Sequence, residues 1–519
     1  MILRLLLASI SAALVLVAAA DGAPSWLAPV QISSGDRALG PELALSGKGD
    51  GLVVWDQEVG ADCATSPASL SCIHIVEASS RVARSDTWGT PLEIDRPGVG
   101  STPRGAINAS GNATIIWVHD IGVDRVLQAT YRSGHTGQWP EPNDLSASVL
   151  QVRNHRIALA ASGDAVAVWA QRADTTFAVD AEIRSAATGV WGAPVRLSGS
   201  GTNATGGPSL ALAPGDSALV AWIEDGVVRV SDGELSTGVW EPPVTLSNGA
   251  DGDPQLAVDA AGDAVVVWAA GDVVEAAFRP TGGSWAAPVE IGGVPNASTA
   301  APQVAIDGGG NVVALWIGAR VQSAARLRAT GQWSRAVDVS TPDPDASDPG
   351  LAVDTAGNAV AVWSSNGITQ AAIRPAASGA WQRPLILANV GASGPRVAMD
   401  SIGHAVAVWN WTTSSRVLVM SDELVGSGPV IAGLEVPRKG TAHARVTFSV
   451  KPAPWASPLS GPPVWRFGDG RSTSGVRVRH AYAHSGRYIV SVSQADAAGG
   501  TSTAKSTIKI AHRRVASGR

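Results

Sequence analysis

The sequence has few cysteines and few charged residues. Its 519 residues include two cysteines, and charged residues make up 16% with a formal net charge of −6. Nucleic-acid-binding surfaces need a concentrated basic stripe, so this overall balance argues against a nucleic-acid partner. A metal site would need more cysteine or histidine ligands than Cys63, Cys72 and His74 provide. We therefore expect no metal centre and no cofactor.

Catalytic motifs are also missing. The sequence contains no G-x-S-x-G, H-E-x-x-H or P-loop pattern. These absences favour a protein that binds rather than one that catalyses.

Long apolar runs are absent after residue 26. The one run, Leu5 to Val17, follows Arg4 and precedes the small residues 18–20, which is typical of a signal peptide over 1–20. It is shorter than the roughly 20 residues that a membrane span needs. We expect a secreted, extracellular protein with no membrane span in the mature chain, and attachment to the cell envelope stays open.

The two cysteines lie in the longest insertion of a repeat described below. Cys63 and Cys72 are separated by eight residues. An exported chain is exposed to oxidising conditions, so we expect a disulfide bond that pins this insertion.

Tryptophan, in contrast, is abundant, and it marks an internal repeat. The stretch PQLAVDAAGDAVVVW, residues 254–268, has eight related copies. Each copy ends in a tryptophan: Trp55, Trp117, Trp169, Trp222, Trp268, Trp316, Trp363 and Trp409. Seven copies have proline fourteen residues before this tryptophan, and the third has His155. We interpret the proline as the entry to a strand, and the tryptophan as a core residue.

The fifth copy predicts a four-stranded unit. Residues 255–259 alternate as a strand does, 264–268 form an apolar run, 273–280 form a third strand, and 285–291 a fourth. A second tryptophan opens each fourth strand: Trp26, Trp88, Trp139, Trp191, Trp240, Trp285, Trp333 and Trp381. Four strands at a period near 50 residues are typical of β-propeller blades.

The two ends of the repeat array predict ring closure. The eighth copy lacks its fourth strand, whereas a matching segment, 26–33, stands at the start of the array. We expect this segment to complete the last blade and remove its open edge. The predicted fold is an all-β, eight-bladed β-propeller over 26–425.

A different pattern begins at residue 428. The segment includes WRFGDG (465–470), HAY (480–482) and GRYIV (486–490). Here the chain resembles a PKD domain, an extracellular β-sandwich, over 428–511. The resemblance implies a spacer or contact module. Residues 512–519 form a basic tail that we interpret as a solvated end.

The repeats also resemble bacterial sialidase propellers at a distance, although the S-x-D-x-G-x-x-W box is missing. A sialidase needs a tyrosine nucleophile backed by a carboxylate, and Tyr131 is the one tyrosine of the propeller region. A sialidase-like glycoside hydrolase that uses Asp56, Asp120 or Glu224 is therefore the alternative function.

Ligand residues are expected in the loops after the second strands, which would meet at one mouth of the ring. These loops carry Asp56, Glu58, His119, Asp120, Arg172, Glu224, Asp225 and Asp272. Trp411 stands outside both tryptophan series and is a further candidate. The alternative interpretation is ordinary solvated loops.

Two further patterns have simpler explanations. Asp343, Asp345 and Asp348 have calcium-like spacing but lack the glycine turn and distal glutamate of a calcium loop, so calcium is a weaker alternative. Arginines close to the end of third strands are interpreted as solvated residues that discourage edge pairing: Arg132, Arg184, Arg279, Arg326 and Arg374. We expect a monomeric binding or adhesion protein whose partner is an extracellular glycan or protein.

Overall fold

The computed structural model describes residues 24–512 apart from 61–62, 64–71, 84, 86, 96–99, 136, 173–174, 295–299, 427, 456–457 and 498–499. The expected signal peptide and most of the basic tail lie outside the described residues. The chain divides into two compact units, one over Trp26–Val425 and one that contains Gly426–Arg519. No helix among the described residues is long and apolar enough to cross a membrane.

Eight antiparallel sheets make up the first unit, and they confirm the predicted eight-bladed propeller. Blades 1 and 2 are β3 (Ala38–Leu45), β4 (Gly51–Val59), β5 (Ile73–Arg81), β6 (Leu92–Glu93), and β7 (Gly100–Ile107), β8 (Ala113–Ile121), β9 (Asp124–Arg132), β10 (Asn143–Asp144). Blades 3 and 4 are β11 (Gln151–Leu159), β12 (Ala165–Arg172), β13 (Ala178–Arg184), β14 (Val195–Arg196), and β15 (Ala204–Ala213), β16 (Ser217–Glu224), β17 (Val227–Glu234), β18 (Val244–Asn248).

The second half of the ring repeats this arrangement. Blades 5 and 6 are β19 (Asp251–Val258), β20 (Ala264–Ala270), β21 (Val273–Arg279), β22 (Val289–Gly293), and β23 (Gln303–Ile306), β24 (Val312–Ile317), β25 (Val321–Arg326), β26 (Val337–Asp338). Blade 7 is β27 (Ala346–Val353), β28 (Ala359–Ser365), β29 (Ile368–Arg374), β30 (Leu385–Ala388), and blade 8 contains β31 (Ala392–Met399), β32 (Ala405–Thr412), β33 (Val417–Val425).

The N-terminal segment closes the ring, as predicted. The short strands β1 (Ser25–Trp26) and β2 (Val30–Gln31) both pair with β33 of blade 8. The Ile32 amide donates to the Val419 carbonyl at 2.8 Å. The first strand of blade 1, β3, also packs against β31 and β32 of blade 8. We call this junction between blades 8 and 1 the seam. The beginning and the end of the propeller segment are therefore joined through both the outer and the inner strands.

The outermost strands are shorter than predicted. In blade 5 the ordered strand is Val289–Gly293, which begins after Pro288 rather than at Trp285. In blades 3, 4 and 6 the tryptophan forms a single isolated bridge to the third strand. Proline cannot donate to the ladder, which accounts for the short strands of blades 3, 4 and 5, whereas the two-residue strand of blade 6 contains no proline.

In six blades the repeated proline lies inside the first strand, whereas in blade 6 Pro302 directly precedes β23 and marks its entry. Pro41 is the fourth residue of β3, and the register of β3 against β4 shifts between Leu39 and Glu42. The residue before the proline, Gly40, has a φ of 56°. Equivalent residues with positive φ are Thr102, Asn154, Ala301, Asp348 and Gly394. A β-bulge leaves one residue unpaired, so the missing N–H of proline costs no hydrogen bond.

The eight terminal tryptophans form the blade cores. All are at most 1% exposed, and each packs among aliphatic residues of adjacent blades, as Trp222 does against Val168 and Val179 of blade 3. Burial of such large apolar side chains is a main source of stability. The predicted core role of this series is confirmed.

The second unit is a two-sheet β-sandwich. One sheet contains β34 (Val430–Glu435), β36 (Arg445–Ala453) and β39 (Arg477–Ala481). The other contains β35 (Lys439–Thr441), β41 (Thr501–Ala511), β40 (Gly486–Asp496), β37 (Leu459–Arg466) and β38 (Ser472–Ser474), in that order. Phe448, Trp465, Phe467 and Tyr482 are buried between the sheets.

Candidate functional site

The expected ligand residues of blade 1 lie within a strand and have partners inside the chain. Asp56 and Glu58 belong to β4 rather than to a loop. A hydrogen bond of 2.9 Å joins Asp56 to Nδ1 of His74, and Glu58 pairs with Arg37. Burial raises the pKa of Asp56, and the hydrogen bond to Asp56 raises the pKa of His74. These carboxylates are therefore engaged within the blade.

The expected residues of blade 2 are also strand residues. His119 and Asp120 belong to β8. Arg125 donates to Asp120 at 2.7 Å. The ring nitrogen Nδ1 of His119 is buried without a partner among the described residues.

In blades 3 and 4 the expected residues support the fold. The Arg172 guanidinium lies 5.3 Å from the Phe177 ring. Glu224 is 5% exposed and accepts a hydrogen bond of 3.0 Å from the indole of Trp222. Asp225 accepts from the Asn203 amide. Arg172 and Glu224 are therefore engaged inside the ring, whereas Asp225 is exposed in the turn after β16.

Trp411 lies in a strand, although the sequence predicted a loop position. It belongs to β32 and pairs with Ala392 rather than standing in a loop. It is 38% exposed, which agrees with a side chain that faces solvent.

The cysteine pair forms the expected disulfide. Cys63 and Cys72 are bonded, with a Cα–Cα distance of 4.8 Å. Among the described residues, one group has metal-ligand spacing: Glu58, Cys72 and His74. Because Cys72 is in the disulfide it offers no thiolate, and Glu58 already pairs with Arg37. This group does not make a convincing metal site.

The three aspartates with calcium-like spacing do not form one cluster. Asp343 accepts from the Ser365 hydroxyl at 2.7 Å, and Asp345 accepts from the Asn366 amide at 2.9 Å. Asp348 occupies the positive-φ position of the bulge in β27.

The third-strand arginines are not solvated edge residues, so that interpretation is wrong. Arg132 and Arg184 are 4% and 8% exposed. Their planar guanidinium groups cover aromatic rings, an arrangement that stabilises both partners. Arg132 lies over Trp139 and Arg184 over Tyr131. Arg81 of blade 1, which the sequence pattern did not reveal because of the insertion, covers Trp88 in the same way.

Charged residues that the sequence did not single out meet at the centre of the ring. In sequence, these residues come directly after the β-bulges of the first strands. Glu42 of blade 1 forms ion pairs with Arg104 of blade 2 and with Arg396 of blade 8, the latter at 3.1 Å. Burial lowers the pKa of Arg156 of blade 3, and the charge of Arg104 adds to this effect. Glu42 thus links blades on both sides of the seam.

His155 explains the copy that lacks the proline. Its Nε2 atom lies 2.7 Å from the Thr102 carbonyl of the neighbouring blade. Burial lowers the pKa of His155 to about 3, so the ring is neutral at physiological pH. His155 is a link between blades 2 and 3.

Two grooves between neighbouring blades combine tryptophan with open space. One, of about 410 Å³, lies between blades 3 and 4 and is lined by Trp191 and Trp240. The other, of about 580 Å³, lies between blades 6 and 7 and is lined by Trp333 and Trp381. All four tryptophans are half-buried.

Arginine positions explain why the grooves occur there. Trp88, Trp139 and Trp285 are covered by Arg81, Arg132 and Arg279. In blades 3 and 6 the arginine instead stacks on an aromatic ring of the preceding blade, Tyr131 or Phe278.

Blades 4 and 7 leave their tryptophans uncovered for other reasons. In blade 4 the residue at the arginine position, opposite Ala218, is Gly233, which has no side chain to cover Trp240. In blade 7, Arg374 donates to the Gly379 carbonyl. Five outer tryptophans are left without an arginine cover among the described contacts, Trp26 and the four that line the two grooves.

Polar side chains surround the tryptophans in both grooves. The groove between blades 3 and 4 includes Thr188, Thr237 and Glu182. Glu182 is 4% exposed, its Oε2 atom has no partner among the described residues, and burial raises its pKa to about 8. At neutral pH it is mostly a protonated acid that can donate a hydrogen bond. The groove therefore offers an apolar platform with polar groups beside it.

Comparison with known proteins identifies the second unit. Residues 427–511 match the family model of the PKD domain. This segment is a PKD domain. Its sequence signature has a structural role: Asp469 bonds to His480 at 2.7 Å, and the Phe467 ring stacks on His480 with centroids 4.0 Å apart. The PKD domain and the disulfide indicate an extracellular protein.

For the whole chain, similarity to solved structures is distant. A fungal alcohol oxidase of the AA5 family in complex with copper shares 10% identity, with 94% of this chain and 99% of that chain covered and a TM-score of 0.44. The Dos1 propeller shares 9%, with 77% and 95% covered and a TM-score of 0.49. The NanB sialidase from Streptococcus pneumoniae shares 10%, with 76% and 69% covered and a TM-score of 0.39. No curated protein matches the chain in sequence.

Proposed function

We propose that the protein is a secreted, non-catalytic binding protein whose propeller recognises extracellular glycans, with the PKD domain as a spacer or contact module. The observation that carries this proposal is the pair of inter-blade grooves, each lined by two outer tryptophans without an arginine cover. Apolar sugar faces pack on such rings, and the neighbouring polar groups provide hydrogen bonds. Two grooves on one ring would bind a repeating polymer with avidity.

The expected mouth residues contribute less to this proposal. Asp56, Asp120 and Glu224 each have a partner within the chain, and a ligand would have to displace these contacts. The carboxylates that the sialidase-like alternative requires are therefore already engaged.

The proposal is tested with the secreted full-length chain on an array of neutral, acidic and peptidoglycan-derived oligosaccharides, with and without EDTA. We expect binding that EDTA does not change. Loss of binding in EDTA would support calcium instead. An array without signal would support a protein partner, and cleavage of an arrayed glycan would support the hydrolase.

Tryptophan variants locate the site. Trp333→Ala should weaken binding roughly tenfold or more, since buried tryptophans at interfaces often contribute over 2 kcal/mol. Trp285→Ala is the matched control, because Arg279 covers that ring. Equal losses in both variants would contradict groove binding.

A further inference from the structure

Positive charge is concentrated in the C-terminal part of the chain. Residues 428–519 contain 14 of the 38 Lys and Arg residues but only 3 of the 44 Asp and Glu residues. Their formal charge is therefore +11 (14 minus 3), and residues 1–427 carry −17 (24 minus 41). The whole-chain charge of −6 hides this division, so the overall balance was an incomplete basis for excluding polyanionic partners.

The cations form a row on the outer face of the five-stranded PKD sheet. Lys439 on β35 is directly opposite Lys509 on β41, which is in turn opposite Arg487 on β40. Arg466 lies on the same face of β37, in register with Ser491 of β40. All four cations are exposed.

Acidic side chains do not balance this row. Asp496 is the one acidic residue in the five strands, and it is 4% exposed, away from the outer face. Like charges directly opposite each other destabilise a sheet. A bound polyanion would remove this repulsion.

A groove continues the row at one end. It has a volume of about 800 Å³ and is lined by Arg438, Arg487, Lys509 and His512. The outward residues of the face include Thr507, Ile489 and Ser491 but no aromatic ring. Single-stranded nucleic acids are usually held by stacking of bases on aromatic rings, which this face does not provide.

We propose that this outer face of the PKD domain, defined by Lys439, Arg466, Arg487 and Lys509, binds an acidic extracellular polysaccharide. Cations on neighbouring strands are spaced at about 4.8 Å, and they present a line of charges to the carboxylate or sulfate groups of an extended sugar chain. The extracellular character of the domain favours such a polymer over nucleic acid. This surface is independent of the tryptophan grooves.

The test uses the full chain with four probes: polygalacturonate, heparin, neutral dextran and double-stranded DNA. Binding is measured by biolayer interferometry at several NaCl concentrations. We expect polygalacturonate or heparin to bind with an affinity that falls as salt increases, and dextran not to bind this face. Polygalacturonate carries carboxylates only, whereas heparin carries both carboxylates and sulfates, so binding of heparin alone would indicate that sulfate is required.

Two triple variants that remove the same number of positive charges distinguish the effect of this face from the effect of net charge. Lys439→Gln, Arg487→Gln and Lys509→Gln together should weaken binding at least tenfold. The control changes three exposed arginines of the opposite sheet: Arg445→Gln, Arg477→Gln and Arg479→Gln. It should change affinity less than twofold. The single variant Arg487→Gln, expected to lose about threefold, replaces the triple variant if that does not fold.

Three results would overturn the proposal. They are equal losses in the two triple variants, tighter binding of DNA than of both acidic polysaccharides at the same salt concentration, and no binding of either acidic polysaccharide.

Discussion

Glu182 is a single residue that links the groove between blades 3 and 4 to pH. Burial raises its pKa from 4.5 to about 8, so the folded protein holds this proton more tightly than the unfolded chain does. Its contribution to stability is therefore complete below about pH 4.5, decreases as the pH rises, and is lost above about pH 8.

The variant Glu182→Gln isolates this effect. We expect the wild type to lose about 5 kcal/mol relative to the variant between pH 4 and pH 9, because each unit of the raised pKa corresponds to about 1.4 kcal/mol. Urea unfolding of both proteins across this range measures the difference. A difference that does not change with pH would show that Glu182 titrates normally.

Glu42 is the second residue with a specific consequence, because it lies between two arginines. Glu42→Gln leaves Arg104 and Arg396 facing each other without the shared carboxylate. These side chains are partly exposed, so we expect a loss of about 1–2 kcal/mol in the free energy of unfolding. Glu290→Gln, at an exposed position of β22, is the control. Equal stability of the two variants would contradict a role for Glu42 in closing the ring.

At the scale of elements, β1 and β2 complete blade 8. Deletion of residues 21–33 exposes the edge of β33 and removes buried Ile32. We expect the unfolding midpoint to fall by roughly 5 °C or more in scanning calorimetry. Deletion of residues 513–519 is the control, and an unchanged midpoint after the first deletion would mean that β1 and β2 do not stabilise the ring.

The sequence predicted these elements unevenly, for physical reasons. The period of the tryptophans was sufficient to predict eight blades and the closing segment. Core packing requires one tryptophan at the same position in every blade, and this makes the repeat visible in the sequence. The bulge before Pro41 and the short outer strands were not predictable from period alone. The bulge is also present in blade 3, where His155 replaces the proline, and the short strand β26 contains no proline, so the proline pattern alone does not account for either feature.

Contacts between blades were harder to predict from the sequence than the strands themselves. The arginine over Trp139 and the arginine over Tyr131 occupy equivalent positions in neighbouring blades, yet they cover different rings. The choice depends on which aromatic residue the preceding blade presents. A single repeat therefore does not reveal which tryptophans stay open.

At the scale of the whole molecule, the total charge is a sum over two units of opposite charge. The acidic propeller hides the basic PKD domain in the total charge. The mouth carboxylates Asp56, Asp120 and Glu224 looked free in the sequence but have partners in the ring. The structure places open tryptophan surfaces between blades instead. We propose that a tryptophan of this ring binds glycan only where no arginine covers it.

Removing an arginine cover tests this claim most directly, because Arg279 covers Trp285 in blade 5. Arg279→Gln should uncover the Trp285 ring, and the double variant Arg279→Gln, Trp285→Ala removes that ring again. Both are measured by isothermal titration in a Trp333→Ala background, with the oligosaccharide that gives the strongest array signal. We expect Arg279→Gln to bind at least threefold more tightly than the background, and the double variant to return to the background affinity. Equal affinity of Arg279→Gln and the double variant would contradict the proposal.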